Sequence, residues 1–403
     1  MLVARPEDQI LICAARPSLR ADTTERLRQL LRPDLDWKYL LATAERHCVI
    51  PLLYCHLSNT SAGLVPVEAL SQLRDADQQN TNSNLFLTGE LIKLLDVLEA
   101  NGVPAVPFKG PTLALQAYGN VGQRQYGDLD ILVKRQDVLA VKTLLASQGF
   151  TPRPELSSAQ QAALLRFDCS HNFANEKNVW VDVHWDFVAP YLSVRLDTDQ
   201  LWDRLEPIAI NRREVTTLSP EDLLLILCVH GFTHFWERLA WICDVASLIE
   251  SRKDLEWELV LQNANRLGVR RILMLGLFIA ADLLEATIPT KIWQIAKADV
   301  TVKRIAAQVR EQLFAEQSAS PGFLGAISNL RMRERKRDRL RSCFTLIATP
   351  RSYDWMFLAL PDSLFFLYYP LRPLRLAAKY GAKLFKGSAD RRTSAKGDQP
   401  RGN

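Results

Sequence analysis

Apolar residues recur three and four apart through the first hundred positions: Leu27, Leu30 and Leu31, then Tyr39, Leu40 and Ala44, then Leu91, Leu94, Leu95 and Leu98. That spacing lines one stripe of an α-helix, so residues 1–100 are expected to form a helical region. Asp22 with Thr23, and Asp36, are suited to cap two of its helices, because a short polar side chain accepts from the first unpaired N–H groups. Asn101-Gly102 closes a helix over Glu90–Ala100.

The period then changes. Pro104–Phe108 is a short apolar run that ends at Lys109-Gly110-Pro111. Pro111 suits the first position of a helix, where its missing N–H would be unpaired anyway, and Thr112–Tyr118 can continue it. Residues 119–127 read as a polar, glycine-containing loop. Asp128–Val133 reads as a strand, Gln136–Gln148 as an amphipathic helix stopped by Gly149, and Phe150–Pro152 as a further strand. His171–Asn175 and Asn178–Phe187 form two strands around Glu176-Lys177, with Val179, Val181 and Val183 alternating against Trp180, Asp182 and His184. Residues 101–217 are thus a small mixed α/β unit.

From Ser219 the helical period returns. Ser219-Pro220-Glu221-Asp222 supplies an N-cap, a first-turn proline and first-turn acids. Helices are expected to about Ala319, with a loop over 318–325. The fold class is α+β: a small mixed-sheet domain at 101–217, flanked by a helical region at 1–100 and a helical domain at 218–345. An apolar and basic amphipathic segment follows at 346–387, then a disordered tail at 388–403.

Composition narrows the class only moderately. The 403 residues are 48% hydrophobic and 24% charged, as in an ordinary globular protein. Seven cysteines, an odd number without a CxxC pair, read as free thiols in a reducing compartment rather than as a disulfide or zinc framework. The N-terminus lacks the basic, apolar and small-residue succession of a signal peptide.

Charge is more informative. The formal net charge is +5, yet 371–403 carries nine Lys/Arg against two acids and 331–341 carries seven against two, so the rest is net acidic. This argues against a specific nucleic-acid groove across the core and for a basic appendage. Trp355–Leu360 and Leu364–Tyr369 are too short to span a bilayer. Leu371–Phe385 sets Arg372, Arg375, Lys379 and Lys383 among Leu371, Leu374, Leu376, Leu384 and Phe385. Such a segment can lie on an anionic membrane surface, or dock on the core with a solvated basic face. A cytoplasmic location is expected, free or peripheral on the inner face of the membrane.

The chemistry centres on Asp128 and Asp130. Side chains two apart on a strand point the same way, so both carboxylates leave one face while Leu129 and Ile131 face the core. Paired carboxylates on an apolar strand repel and are costly to desolvate; a bound Mg²⁺ or Mn²⁺ removes that cost. A solvent-exposed turn capped by Asp128 is the plainer reading. Lys109-Gly110-Pro111 adds a cation at a helix start whose free N–H groups can hold phosphate. Arg124 is placed to reach the same phosphates bidentately. Asp182 is a natural third carboxylate, ligating metal or accepting a proton, and His184 shares its face. His184 is equally readable as a satisfied core histidine.

Other signals are weaker. His230 and His234 share a helix face, but Gly231 stands where a metalloprotease needs glutamate, so they are read as packing or as lining of an acceptor pocket. Trp236, Arg238, Trp241 and Asp244 continue that region. No GxxxxGK[ST] loop is present. The acid pair also fits the Asp-x-Asp of a sugar-nucleotide glycosyltransferase, although those folds open with a nucleotide-binding α/β domain rather than a hundred helical residues.

Lys109-Gly110 with Leu113, Tyr118 and Arg124, then Gly127-Asp128-Leu129-Asp130-Ile131-Leu132-Val133, then Val181-Asp182-Val183-His184-Trp185, resembles the uncharacterised nucleotidyltransferase family (NTP_transf_5 type) of the polymerase-β-like superfamily. Leu218–Leu224, His230, His234 and Trp241-Ile242-Cys243-Asp244 are similar to its helical half, and the resemblance spans roughly residues 30–380. It implies a palm-like sheet bearing three carboxylates, with Asp128, Asp130 and Asp182 as metal ligands and catalytic acids. Lys109, Gly110, Arg124 and His184 would bind nucleotide. The implied reaction moves an NMP group from an NTP to an acceptor and releases pyrophosphate. The acceptor is open: a saccharide, a small molecule, a peptide or a protein side chain. One departure stands out, because the wider superfamily usually has Gly-Ser where this chain has Lys109-Gly110. A degenerate fold that only holds nucleotide or scaffolds a membrane-proximal assembly is the non-enzymatic alternative.

Overall fold

The computed structural model describes residues 5–60, 63–188, 198–315, 332 and 334–378. Four helices, Pro6–Ala14, Ala21–Leu30, Trp37–Arg46 and Ile50–Thr60, precede one long helix, Val67–Ala100. The helix expected over Glu90–Ala100 is the last third of this 34-residue element. It starts earlier because residues 67–90 contain no proline and their single glycine, Gly89, is tolerated inside the helix. Its Leu87, Leu91, Leu94, Leu95 and Leu98 are buried in the core beneath the sheet. Asp36 caps as expected, accepting from the Tyr39 N–H at 2.9 Å. Asp22 does not: it lies inside its helix, and its carboxylate is turned to the Thr23 N–H.

The sheet has five strands: β1 Ala105–Pro107, β2 Asp128–Val133, β3 Thr151–Arg153, β4 Ser170–Ala174 and β5 Trp180–His184, in spatial order β1-β2-β5-β4-β3. β2 and β5 are parallel; the other pairs are antiparallel. The polar/apolar alternation divides its two faces. Leu129, Ile131, Val133, Val181 and Val183 enter the core shared with the long helix and the helix Val138–Ser147. Leu132, on the opposite face, enters the core built by the C-terminal helices. Asp128, Asp130, Asp182 and His184 share the face of Leu132 by strand alternation.

Two features escaped the sequence pattern. The helix Ser158–Phe167, started by a Ser157/Gln160 capping box, buries only Ala163 and Leu164 and has little amphipathic signal. The hairpin β6 Glu206–Ile210 and β7 Arg213–Thr217 is half-exposed and pairs only with itself.

The C-terminal helices begin at Pro220–Thr233, where Ser219 accepts from the Asp222 N–H at 3.3 Å as its sequence predicts. Leu239–Ser251 and Arg270–Leu284 pack beside it in the same core. Helices Lys336–Ala348 and Ser352–Phe357 follow. The loop expected over 318–325, the tail after Gly387, and Lys379, Lys383, Leu384 and Phe385 lie outside the described residues. No helix among the described residues is long and apolar enough to cross a membrane.

Candidate active site

β2 and β5 bring the acids together by register. Asp130 and Asp182 are direct partners across the parallel pair, and His184 lies two residues beyond Asp182 on the same face. Carboxylate oxygens of Asp130 and Asp182 and a ring nitrogen of His184 all lie within 4.8 Å of one another. His184 Nε2 is 3.2 Å from Asp130 Oδ1 and 3.0 Å from Asp182 Oδ2. Its other nitrogen, Nδ1, is 3.3 Å from the carbonyl oxygen of Asp186, and its ring packs edge-on against Phe108.

Lys109 reaches the same acid from the other side. β1 ends at Pro107, and Gly110 turns the chain with φ +54°, a conformation that side chains other than glycine rarely adopt. A Cβ there would also press on the Asp128 carbonyl at 3.4 Å. Pro111 then starts a short helix, Pro111–Leu113, which widens into a π-turn over Ala114–Tyr118. This geometry puts Lys109 Nζ 3.1 Å from Asp130 Oδ1 and 3.3 Å from His230 Nδ1.

The electrostatics follow from that placement. Burial pushes the Asp130 carboxyl up, but Lys109 and His184 outweigh it and hold the group well below the usual carboxylate range. Burial lowers His184, yet Asp182 and Asp130 raise it to about 10, so it carries a proton at neutral pH. Asp128, one step toward solvent, moves oppositely: desolvation and then the Asp130 charge raise it. His230 is held well below its ordinary value by burial and by Lys109, so it is neutral and can accept from the ammonium.

Each residue singled out in the sequence can now be placed. Asp130, Asp182, His184 and Lys109 converge. Asp128 stands beside them but outside the tight cluster. Gly110 makes the turn. Arg124 differs from expectation: its Nε–H and one Nη–H go to the two oxygens of Asp244 at 2.8 and 3.0 Å, with Tyr118 Oη donating to Asp244 Oδ1 at 2.8 Å. The guanidinium is thus committed to a buried carboxylate rather than presented as a bidentate phosphate clamp. His234 and Trp241 stack around His230, with ring centroids 4.6 Å from His230 to His234 and 5.1 Å from His234 to Trp241. Gly231 follows His230 because a Cβ there would overlap the indole of Trp236 at 2.4 Å.

In the sequence, Asp244 reads only as part of the stretch continuing from His234, with a cleft wall or core packing as its readings, and Asn84 is not singled out at all. Asp244 sits among apolar residues in the helix Leu239–Ser251, whose other acid, Glu250, is exposed, and a buried charge needs a partner; that signal was readable. Asn84 gave none, lying in a polar run of the long helix. Its amide donates at 2.7 Å to the carbonyls of both Val121 and Arg124, so it pins the loop that delivers β2.

The donor set fits a divalent cation. Asp182 Oδ1 and His184 Nε2 are buried and make no well-oriented hydrogen bond among the described residues, although both belong to the converging cluster. The carboxylate oxygens suit Mg²⁺ or Mn²⁺, with protonated His184 beside them as a counter-ion rather than a ligand.

Comparison with known proteins gives the family of the chain. The sequence pattern of a family described as uncharacterised nucleotidyltransferase matches residues 33–285. A crystal structure of an antigenic nucleotidyltransferase-like protein from Paracoccidioides brasiliensis is similar at 15% identity and a TM-score of 0.30, over 52% of this chain and 96% of that one. That overlap is too slight to bear on the site. No curated protein matches the chain.

Proposed function

The chain belongs to the uncharacterised nucleotidyltransferase family, and from its site we propose that it moves an NMP group from an NTP to an acceptor group, releasing pyrophosphate. The observation that carries this is the register of β2 against β5, which sets Asp130 and Asp182 side by side with His184. Asp130 and Asp182 would hold Mg²⁺ or Mn²⁺, with Asp128 at the solvent edge completing the set. The cation would neutralise these acids and withdraw charge from the reacting phosphate.

The chain's own residues supply the rest. Lys109 fixes Asp130 in its ionised form and places positive charge beside the phosphate path. The N–H groups following Gly110, at a helix start, would offer the phosphates further donors. Asp182, with one oxygen unpartnered, is placed to take the proton of the attacking acceptor. Neutral His230 with His234 and Trp241 forms an aromatic wall suited to the acceptor side.

The test is transfer or self-labelling from a labelled NTP with Mg²⁺ or Mn²⁺. Asp130→Asn and Asp182→Asn are expected to lower turnover by at least about a hundredfold while nucleotide binding without metal persists. Equal activity in wild type and both variants, or labelling that ignores chelator, would refute the assignment.

A further inference from the structure

Among the described residues, 18 large apolar side chains are exposed, and eleven of them fall between Leu340 and Leu374. They concentrate on two adjacent helices. On Lys336–Ala348, Leu340, Phe344 and Ile347 lie at positions i, i+4 and i+7 and are 74%, 74% and 48% exposed. This helix therefore turns an apolar stripe outward. On Ser352–Phe357, Tyr353, Met356 and Phe357 are each more than 70% exposed. An exposed patch of this density marks a contact surface.

The patch is tied to the palm through its second helix and the segment that follows. Asp354 is buried against Arg372 and Arg375, and Trp355 and Tyr368 sink into the core beneath the sheet. Asp362 accepts from the Ala159 N–H at 3.2 Å, tying the segment to the helix Ser158–Phe167. Ser352–Phe357 buries Asp354 and Trp355 while turning Tyr353, Met356 and Phe357 outward, whereas every apolar side chain of Lys336–Ala348 stays exposed or half-buried.

Charge selects the occupant. Arg335, Lys336, Arg337, Arg339 and Arg341 are exposed along the N-terminal half of the Leu340/Phe344 helix; Glu334 and Asp362 are exposed acids nearby, and Asp338 falls within the same run, which still carries a clear excess of cations. A second copy would bring the same cations face to face. Nucleic acid would leave Phe344, Met356 and Phe357 in water. An anionic bilayer satisfies both parts, taking the apolar side chains into its interface and the cations against its headgroups. We propose that the face formed by helices Lys336–Ala348 and Ser352–Phe357 docks the protein on an anionic membrane surface, with the palm held above it. This assigns the contact to elements before Leu371–Phe385, the segment for which the sequence pattern left both membrane contact and docking on the core open, and it does not depend on the reaction.

The experiment is co-sedimentation of the full chain with vesicles of phosphatidylcholine alone or mixed with phosphatidylglycerol. Binding to the mixed vesicles only is expected, weakening with salt. Phe344→Gln with Met356→Gln, both at exposed positions, is expected to lower the partition coefficient by about tenfold or more. Arg337→Gln with Arg339→Gln and Arg341→Gln is expected to do the same at low salt. Phe357→Trp is expected to shift its emission to the blue on the mixed vesicles. Equal binding to both vesicles, no binding to either, or wild-type partitioning by the Phe344/Met356 variant would overturn the proposal. So would a wild-type dimer in light scattering that the Phe344/Met356 variant abolishes, which would assign the face to a second copy.

Discussion

Replacing Asp244 by asparagine keeps its shape and removes its charge. Asp244 is 1% exposed, and the Arg124 side chain that it binds through two hydrogen bonds is 11% exposed. The variant therefore strands a buried guanidinium with one weakened acceptor. Breaking a buried pair on one side costs about 3–5 kcal/mol, whereas an exposed pair such as Arg74 with Asp75 contributes about 1 kcal/mol at most. Asp244→Asn is expected to fall in the first range. Removing both charges, as in Arg124→Met with Asp244→Leu, is expected to regain most of the loss, because no ion is left buried alone. Urea unfolding followed by tryptophan fluorescence reads both variants, since Trp236 and Trp241 lie in the same helical core. A loss under about 1 kcal/mol for Asp244→Asn, or a double variant worse than the single, would refute the reading of Arg124 as a structural cation. It would restore Arg124 to the phosphate-binding role suggested by its position in the sequence.

Three further outcomes are expected. His47 is fully buried, its Nδ1 accepts from the Leu239 N–H at 3.2 Å, and burial lowers its pKa from 6.5 to about 4. The unfolded chain thus takes a proton that the native state refuses; stability is complete above pH 6.5 and lost as pH falls toward 4, by roughly 3 kcal/mol in all. His47→Gln should flatten that part of the denaturation profile, and an unchanged slope would count against it. Gly231→Ala places a Cβ 2.4 Å from Trp236 and is expected to cost about 2 kcal/mol or more in thermal unfolding. Asn84→Ala frees two loop carbonyls and should raise hydrogen exchange at residues 121–125 while leaving the helices protected.

Alternation made the sheet legible. Asp128, Asp130, Asp182 and His184 could be assigned to one face because their neighbours Leu129, Ile131, Val181 and Val183 are unambiguously core. The tight turn at Gly110-Pro111 and the Ser219 cap were also readable, since each rests on local backbone chemistry. Arg124 was not, because its partner lies 120 residues away and no local rule distinguishes a clamp from a buried counter-ion. Long-range partnership likewise hid the contact between Lys109 and His230. The half-buried β6–β7 hairpin failed for another reason: it pairs only with itself, so its pattern carries little burial.

The Lys109-Gly110 pair takes on a physical meaning from these contacts. A serine at that place would offer phosphate a neutral hydroxyl. Lys109 instead delivers a full charge into the carboxylate cluster, 3.1 Å from Asp130. Together with protonated His184 it balances two of the three acids, which is why Asp130 stays ionised while Asp128, farther from both cations, is driven toward the neutral form. A face bearing three uncompensated carboxylates would repel a triphosphate. Here the compensation is built into the fold, so the nucleotide proposed as substrate would meet a nearly neutral surface. Any cation that binds Asp130 and Asp182 must compete with groups already in place. Occupancy of the proposed cation site would thus be coupled to the position of Lys109 and the proton on His184.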